Sequence, residues 1–259
     1  MSPSPVQLLR RWVVDYFNRH DAAACSNFIA PDYTLHIGDT IFAGRDDQWL
    51  PAVARQMQLF PGLAMTVHQV LAGDDWAAMC FSEHGASQGG VACWSGVAIY
   101  RSNGSYLTGC VAQEDYMTRQ RQLKSGVADP VEPPATAPWD TPQLPRDEAA
   151  EGIVRHWLTG SWPTAVVGIR CDDEHITGVP LQFEVANAHI DTLFSSGPEM
   201  AFHVRQTGVY RGGIGDVEVL RQPAVLHCNG IVRVVDNRVH SGRVIRDRVG
   251  LRASLRRAA

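Results

Sequence analysis

Tyr16, His36, Glu83, His84 and Asp115 are the side chains in the first half of this 259-residue chain best suited to moving protons. Asp115 stands out because its setting recurs. GCVAQEDYMTRQRQL (109–123) is echoed by GRVIRDRVGLRASL (242–255), so that Asp115 aligns with Asp247, each followed eight positions on by a leucine. A carboxylate in an apolar enclosure is desolvated, and its pKa rises toward the range useful for general acid/base work. The same residue serves equally well as a helix cap, a plain strand terminus or an ion-pair partner. Glu83 and His84 are neighbours, so on a regular strand only one of them faces inward. Glu83 shares its face with Met79 and Phe81, which points it inward unless a bulge reverses the face. The cysteines (25, 80, 93, 110, 171 and 228) form no CxxC pair and no zinc-like spacing, and they read as small buried hydrophobes in a reducing compartment.

Helices and strands must position these groups. Val6, Leu9, Val13, Tyr16 and Phe17 recur at helical spacing over residues 5–20. Asp21 is placed to cap a short second helix that ends at Ala30-Pro31. Tyr33–Ile37 reads as a strand turning at Gly38-Asp39, with His36 on the face of Thr34. Arg45–Phe60 is again amphipathic and stops at Pro61-Gly62. From Ala64 onward the pattern becomes an antiparallel meander, with Ser-Asn-Gly (102–104) as a hairpin turn.

A second, ungapped echo aligns residues 79–90 with 202–213, matching Gly85, Gly89 and Gly90 to Gly208, Gly212 and Gly213. Two echoes in the same order predict a duplicated unit of roughly 110–125 residues. The expected domains are 1–123, a proline-rich linker at 124–147, and 148–259. Pro130, Pro133, Pro134, Pro138, Pro142 and Pro145 make the linker semi-rigid, with Trp139 docked on a domain surface. The second unit opens with the helix EAAEGIVRHWL, replaces the short helix by TGSWPT, and has a shortened middle helix at about PLQFEVANA. Arg243 and Arg205 stand as candidates to neutralise Asp247.

Hydrophobic content of 45%, charged content of 19% and a net charge of −4 are ordinary for a globular protein. They give no electrostatic reason to expect nucleic acid or an anionic membrane as partner. No segment is long and apolar enough to span a bilayer or resembles a signal peptide, so the expected location is cytoplasmic.

The order helix, short helix, Ala30-Pro31-Asp32-Tyr33, hairpin with Gly44, helix, Phe60-Pro61-Gly62-Leu63, then strands ending in Asp115 with Gln122-Leu123, resembles the SnoaL-like polyketide cyclases of the nuclear-transport-factor-2-like superfamily. The resemblance implies an α+β fold: two cone-shaped barrels, each a curved antiparallel sheet around helices, fused as an intrachain pseudo-dimer. Further self-association stays open. It implies an enzyme without metal or organic cofactor, acting as a cyclase, isomerase, dehydratase or epoxide hydrolase on a small apolar substrate such as a polyketide, steroid or terpenoid. It implies Asp115 as general acid/base, His36 as a proton shuttle or carbonyl-polarising group, and Tyr16 as donor to a developing oxyanion, with Glu83 as a further candidate. The implied pocket wall is Trp12, Trp49, Met57, Phe60, Phe81, His84 and Trp94. Unit two is expected to be the structural half. The alternative is a non-catalytic small-molecule-binding or assembly module.

Overall fold

The computed structural model describes residues 2–87, 89–161, 168–215, 217 and 223–258. The chain divides into two compact units, one of Met1–Ala112 with Thr118–Leu144, the other of Gln113–Met117 with Pro145–Ala259. Among the described residues no helix is long and apolar enough to cross a membrane.

In the first unit, α1 (Pro5–Arg11) starts on a capping box. The Gln7 amide N–H donates to Ser4 Oγ at 3.2 Å, and Ser4 N–H donates to Gln7 Oε1 at 2.9 Å. The helix widens into a π-helical stretch at Trp12–Phe17, which turns Trp12, Val13, Tyr16 and Phe17 inward together. Asp21 caps a 3₁₀ turn, Ala22–Asn27, through the Ala23 N–H. Strands β1 (Ile29–Ile37) and β2 (Thr40–Ala43) form a hairpin about Gly38, and α2 (Leu50–Leu59) follows a π-helical turn at Arg45–Trp49.

The remaining strands are β3 (Ala64–Ala72), β4 (Trp76–Ser87), β5 (Gly90–Ser102) and β6 (Leu107–Glu114), leading into α3 (Tyr116–Ser125). The sheet order is β2-β1-β6-β5-β4-β3. Pairs β3–β4 and β4–β5 are antiparallel, but β1 lies parallel to β6. A simple meander does not predict that pair; the long path from β1 to β6 supplies the crossover that a parallel neighbour needs. The linker lies along β3, where the Ala135 N–H donates to Val67 O at 3.0 Å and Thr141 Oγ1 donates to Val70 O at 3.0 Å. Trp139 there is half-buried.

The second unit contains α4 (Glu148–His156), β7 (Ile169–Cys171), α5 (Glu174–Thr177), β8 (Gln182–Ser196), β9 (Glu199–Gly212), β10 (Pro223–Val235), β11 (Arg238–Arg246) and α6 (Arg248–Ala258). Its sheet runs β7-β11-β10-β9-β8, again with the first strand parallel to the last. The expected middle helix at PLQFEVANA is instead the start of β8. Phe183 and Val185 alternate with exposed Gln182 and Glu184, a period of two. Gly208 on β9 lets the β8 backbone come close, since a Cβ there would stand 2.1 Å from Glu184 O. The first half of the TGSWPT segment completes a π-helical turn, Trp157–Ser161, and residues 162–164 lie outside the described residues.

One landmark is common to both sheets. A Cβ on Gly96 would stand 2.2 Å from the Phe81 ring, and one on Gly230 would stand 2.3 Å from the Phe202 ring. Each phenylalanine lies directly across a strand pair from its glycine. By this landmark Phe81 corresponds to Phe202, two residues away from the register of the glycine echo. A shift of two preserves which face each residue occupies.

Candidate functional site

A cavity of about 660 Å³ opens in unit 1 between the end of the first helical segment and α2. Leu50, Pro51, Ala54, Met57 and Pro61 supply its apolar wall, and Tyr16, His20 and Asp46 are among its polar groups. Apolar walls with a few converging polar groups are the usual makeup of a small-molecule site.

Tyr16 is 2% exposed and packs its ring 5.4 Å from Trp49. Burial, then the neighbouring Cys25 and Glu83, push its phenol above the usual range, so it stays a proton donor at neutral pH. Glu83, also 2% exposed, sits on the helix side of β4, where Gln56 Nε2 of α2 donates to Glu83 Oε2 at 2.6 Å. Neither Gln56 nor the coupling to Tyr16 follows from strand alternation, which fixes only the face.

His20 follows the helix end in the left-handed region, with φ of 56°. Its Nε2 lies 2.7 Å from Leu63 O. Two residues earlier, the Asn18 side chain pairs with Met65 like a strand neighbour, Nδ2 donating to Met65 O and Met65 N–H donating to Oδ1. These contacts fasten the helix end to the start of β3 and so fix one side of the cavity. On another side, Arg45 Nε and Nη2 donate to Asp46 at 2.9 and 2.7 Å and hold that carboxyl below its usual range.

The expected site residues divide into several places. Tyr16 and Met57 line the cavity. Trp12 and Trp49 belong to a buried ring cluster with Tyr16, Tyr33 and Tyr100; the Trp12 indole N–H is buried without a hydrogen-bond partner. Phe60 and Trp94 form a second cluster at 5.4 Å, under the Arg119 guanidinium 5.0 Å from the Trp94 ring centre. Phe81 is committed to Gly96. These rings are all buried.

Three expectations are corrected. His36 is exposed, because Tyr33 faces the core and a period of two sends His36 outward. His84 faces away from Glu83, its Nε2 lying 3.0 Å from Thr66 Oγ1, and burial lowers its pKa. Asp115 does not stand alone in an apolar cone. It packs within unit 2, where Arg248 Nη2 donates to its Oδ1 at 2.5 Å. Its counterpart Asp247 caps α6 by accepting the Gly250 N–H at 2.8 Å. Arg205 lies 3.9 Å from Asp191 on β8.

Residues 9–105 match the SnoaL-like domain family. The matched segment lies within unit 1. The chain is also similar to several solved structures. One is a protein from Jannaschia sp. CCS1 described as a SnoaL-like polyketide cyclase, at 14% identity and TM-score 0.44, covering 47% of this chain and 92% of that one. Wild-type IdmH from Streptomyces antibioticus gives 20% identity and TM-score 0.42, covering 46% and 98%. An M. tuberculosis LEH-like epoxide hydrolase gives 11% identity and TM-score 0.41, covering 47% and 90%. No curated protein matches the chain.

Within the matched segment of unit 1 the cavity is bounded by the first helical segment and α2, and Glu83 comes from the sheet behind them. Unit 2 has no carboxylate at the corresponding place in either register: Val204 stands there by the ring-over-glycine landmark, Gln206 by the glycine echo. Burial pushes the Cys25 thiol up to about 12, so it is not a thiolate at neutral pH. Among the described residues, no group of three or more His, Cys, Asp or Glu is placed to hold a metal ion.

Proposed function

We propose that unit 1 binds a small, largely apolar molecule in the cavity beside α2 and catalyses a proton transfer on it without a cofactor. Cyclisation, isomerisation, dehydration and epoxide opening are all reactions of this kind. The observation that carries the reading is Tyr16, a phenol kept protonated by burial, in the wall of an apolar cavity and coupled to the buried carboxylate of Glu83. Tyr16 donates a hydrogen bond to the oxygen on which charge develops. Preorganised donors of this type are usually worth about 10²–10³ in rate. Glu83, held by the Gln56 side chain, adds to the burial that raises the phenol's pKa.

The two units descend from one duplicated ancestor in this reading, supported by the shared sheet order and the parallel first-to-last strand pair. Unit 2 is the structural half, because neither register gives it a counterpart to Glu83. Free, mostly buried cysteines support a reducing, cytoplasmic setting.

A second reading, a binding module without turnover, is supported by the apolar wall of the cavity, which suits a held ligand as well as a reacting one. The two separate by incubating the protein with a panel of apolar ketones, diketones and epoxides and following both binding and product. The enzyme reading expects turnover that Tyr16→Phe lowers about a hundredfold while binding persists. Binding without turnover by the wild-type chain would establish the module instead.

A further inference from the structure

We propose that α2 is the movable wall of the cavity, a lid latched to the sheet by the Gln56–Glu83 hydrogen bond and closed by the apolar ligand it covers. This rests on the reading of the cavity as a small-molecule site and adds how that site is entered. Three observations converge on α2. None of its ten residues, Leu50–Leu59, is buried, whereas Trp49 before it and Phe60 after it are 1% and 3% exposed. Its stripe of Leu50, Ala54 and Met57, spaced by four and three along one helix face, borders the cavity and not a packed core. Among the described residues, the only hydrogen bond from an α2 side chain is the one that Gln56 Nε2 donates to Glu83 Oε2 at 2.6 Å.

Short helices take most of their stability from packing an apolar face, and a helix of this length does not persist on its own. α2 also starts without a side-chain cap. Buried rings pin both of its ends: Trp49 lies 5.4 Å from Tyr16 and 5.2 Å from Tyr33, and Phe60 lies 5.4 Å from Trp94. Between the pins, the latch to the 2% exposed Glu83 is the one polar hold on the sheet among the described residues. Elements with few buried apolar contacts open locally while the rest of a domain stays folded. The segment between the rings can therefore lift without disturbing them. Opening gives up the hydrogen bond to Glu83, and that cost keeps the lid shut at rest. A ligand with an apolar face meets Leu50, Ala54 and Met57 and packs against them, so binding and closure form one equilibrium.

The test uses the full chain and N-phenyl-1-naphthylamine, an uncharged apolar probe that fluoresces on leaving water. Amide hydrogen exchange is read by mass spectrometry. Without probe, peptides spanning residues 50–59 are expected to exchange about tenfold or more faster than those of β4 and β5. Probe at about 100 times its Kd is expected to slow the α2 peptides by about tenfold to a hundredfold and to change β4 and β5 little. Gln56→Ala is expected to speed α2 exchange about tenfold or more, leave β4 and β5 unchanged, and quicken probe entry in stopped-flow fluorescence. Gln56→Glu sets a second carboxyl group against Glu83 and is expected to go further in the same direction. Faster entry with loosening confined to α2 marks a latch; a residue that only packs would loosen unit 1 as a whole. If α2 is as protected as β4 without probe, or if added probe leaves its exchange unchanged, the lid is overturned. If Gln56→Ala loosens all of unit 1 alike with no faster entry, the latch is overturned. The proton-transfer reading is judged separately, by turnover of the ketone and epoxide panel: closure on the probe without turnover keeps the lid and removes that reading.

Discussion

Replacing Asp115 by asparagine should weaken unit 2 and leave the proton chemistry of unit 1 intact. Asp115 is 2% exposed, and its carboxylate meets Arg248, whose Nη1 reaches Asp173 at 2.8 Å and whose Nε lies 3.3 Å from Asp172. Arg246 adds a second cation: its Nε donates to Asp172 at 2.7 Å and its Nη2 also contacts Glu174. Burial alone would lower the Arg248 guanidinium, but the charges of Asp172, Asp115 and Asp173 outweigh it and keep it protonated. Asparagine preserves the volume of Asp115 and removes its charge. A hydrogen bond to a charged group contributes about 1.5–3 kcal/mol. Because Arg248 keeps two other acids, the cost belongs at the low end, about 1.5–2 kcal/mol. Arg248→Met is the harsher change, since it strips three buried carboxylates of one shared cation; breaking such a network by removing one partner costs about 3–5 kcal/mol. Urea denaturation gives the ordering. Amide hydrogen exchange should locate the loss in β7, β11 and α6, which matters because a chain of two units need not unfold in one step. An Asp115→Asn chain with an unchanged urea midpoint and lost turnover would refute this reasoning and restore Asp115 as a proton carrier.

Two further outcomes follow from the packing and the buried acids. Gly96→Ala and Gly230→Ala each drive a methyl into a phenylalanine ring, at 2.2 and 2.3 Å, and should cost about 1–3 kcal/mol apiece by overpacking, read as a drop in melting temperature. Tyr16, Tyr33 and Cys25 all hold their protons more tightly in the folded chain than in the unfolded one, chiefly through burial. Groups with raised folded pKa contribute stability that is complete below their unfolded values and is lost as pH rises past them. Unit 1 should therefore be stable to about pH 8 and weaken progressively above about pH 9–10, where free thiols and phenols titrate. A stability profile that stayed flat to pH 11 would contradict this burial.

Local pattern made part of this molecule legible. Alternation put Glu83 on the side of Met79 and Phe81, and the structure has it against α2. The same rule placed His36 with Thr34, and following it through would have left His36 outside. PLQFEVANA was misread because an expected counterpart to α2 overrode a period of two that the residues themselves display. The two alignments of β4 on β9 differ by two positions because glycines at strand ends invite one register while ring-over-glycine packing sets another.

What local pattern could not reveal was partnership across the chain. Asp115 occupies the predicted place at a strand end, but its chemistry is decided by Arg248, 133 residues away. A carboxylate alone in an apolar cone and one clasped by a guanidinium have the same neighbours in sequence and opposite uses: the first is a proton carrier, the second a structural anchor. A search for catalytic groups in such domains should therefore weigh a titratable side chain by the number of charges that already hold it. Asp115 is already held by Arg248.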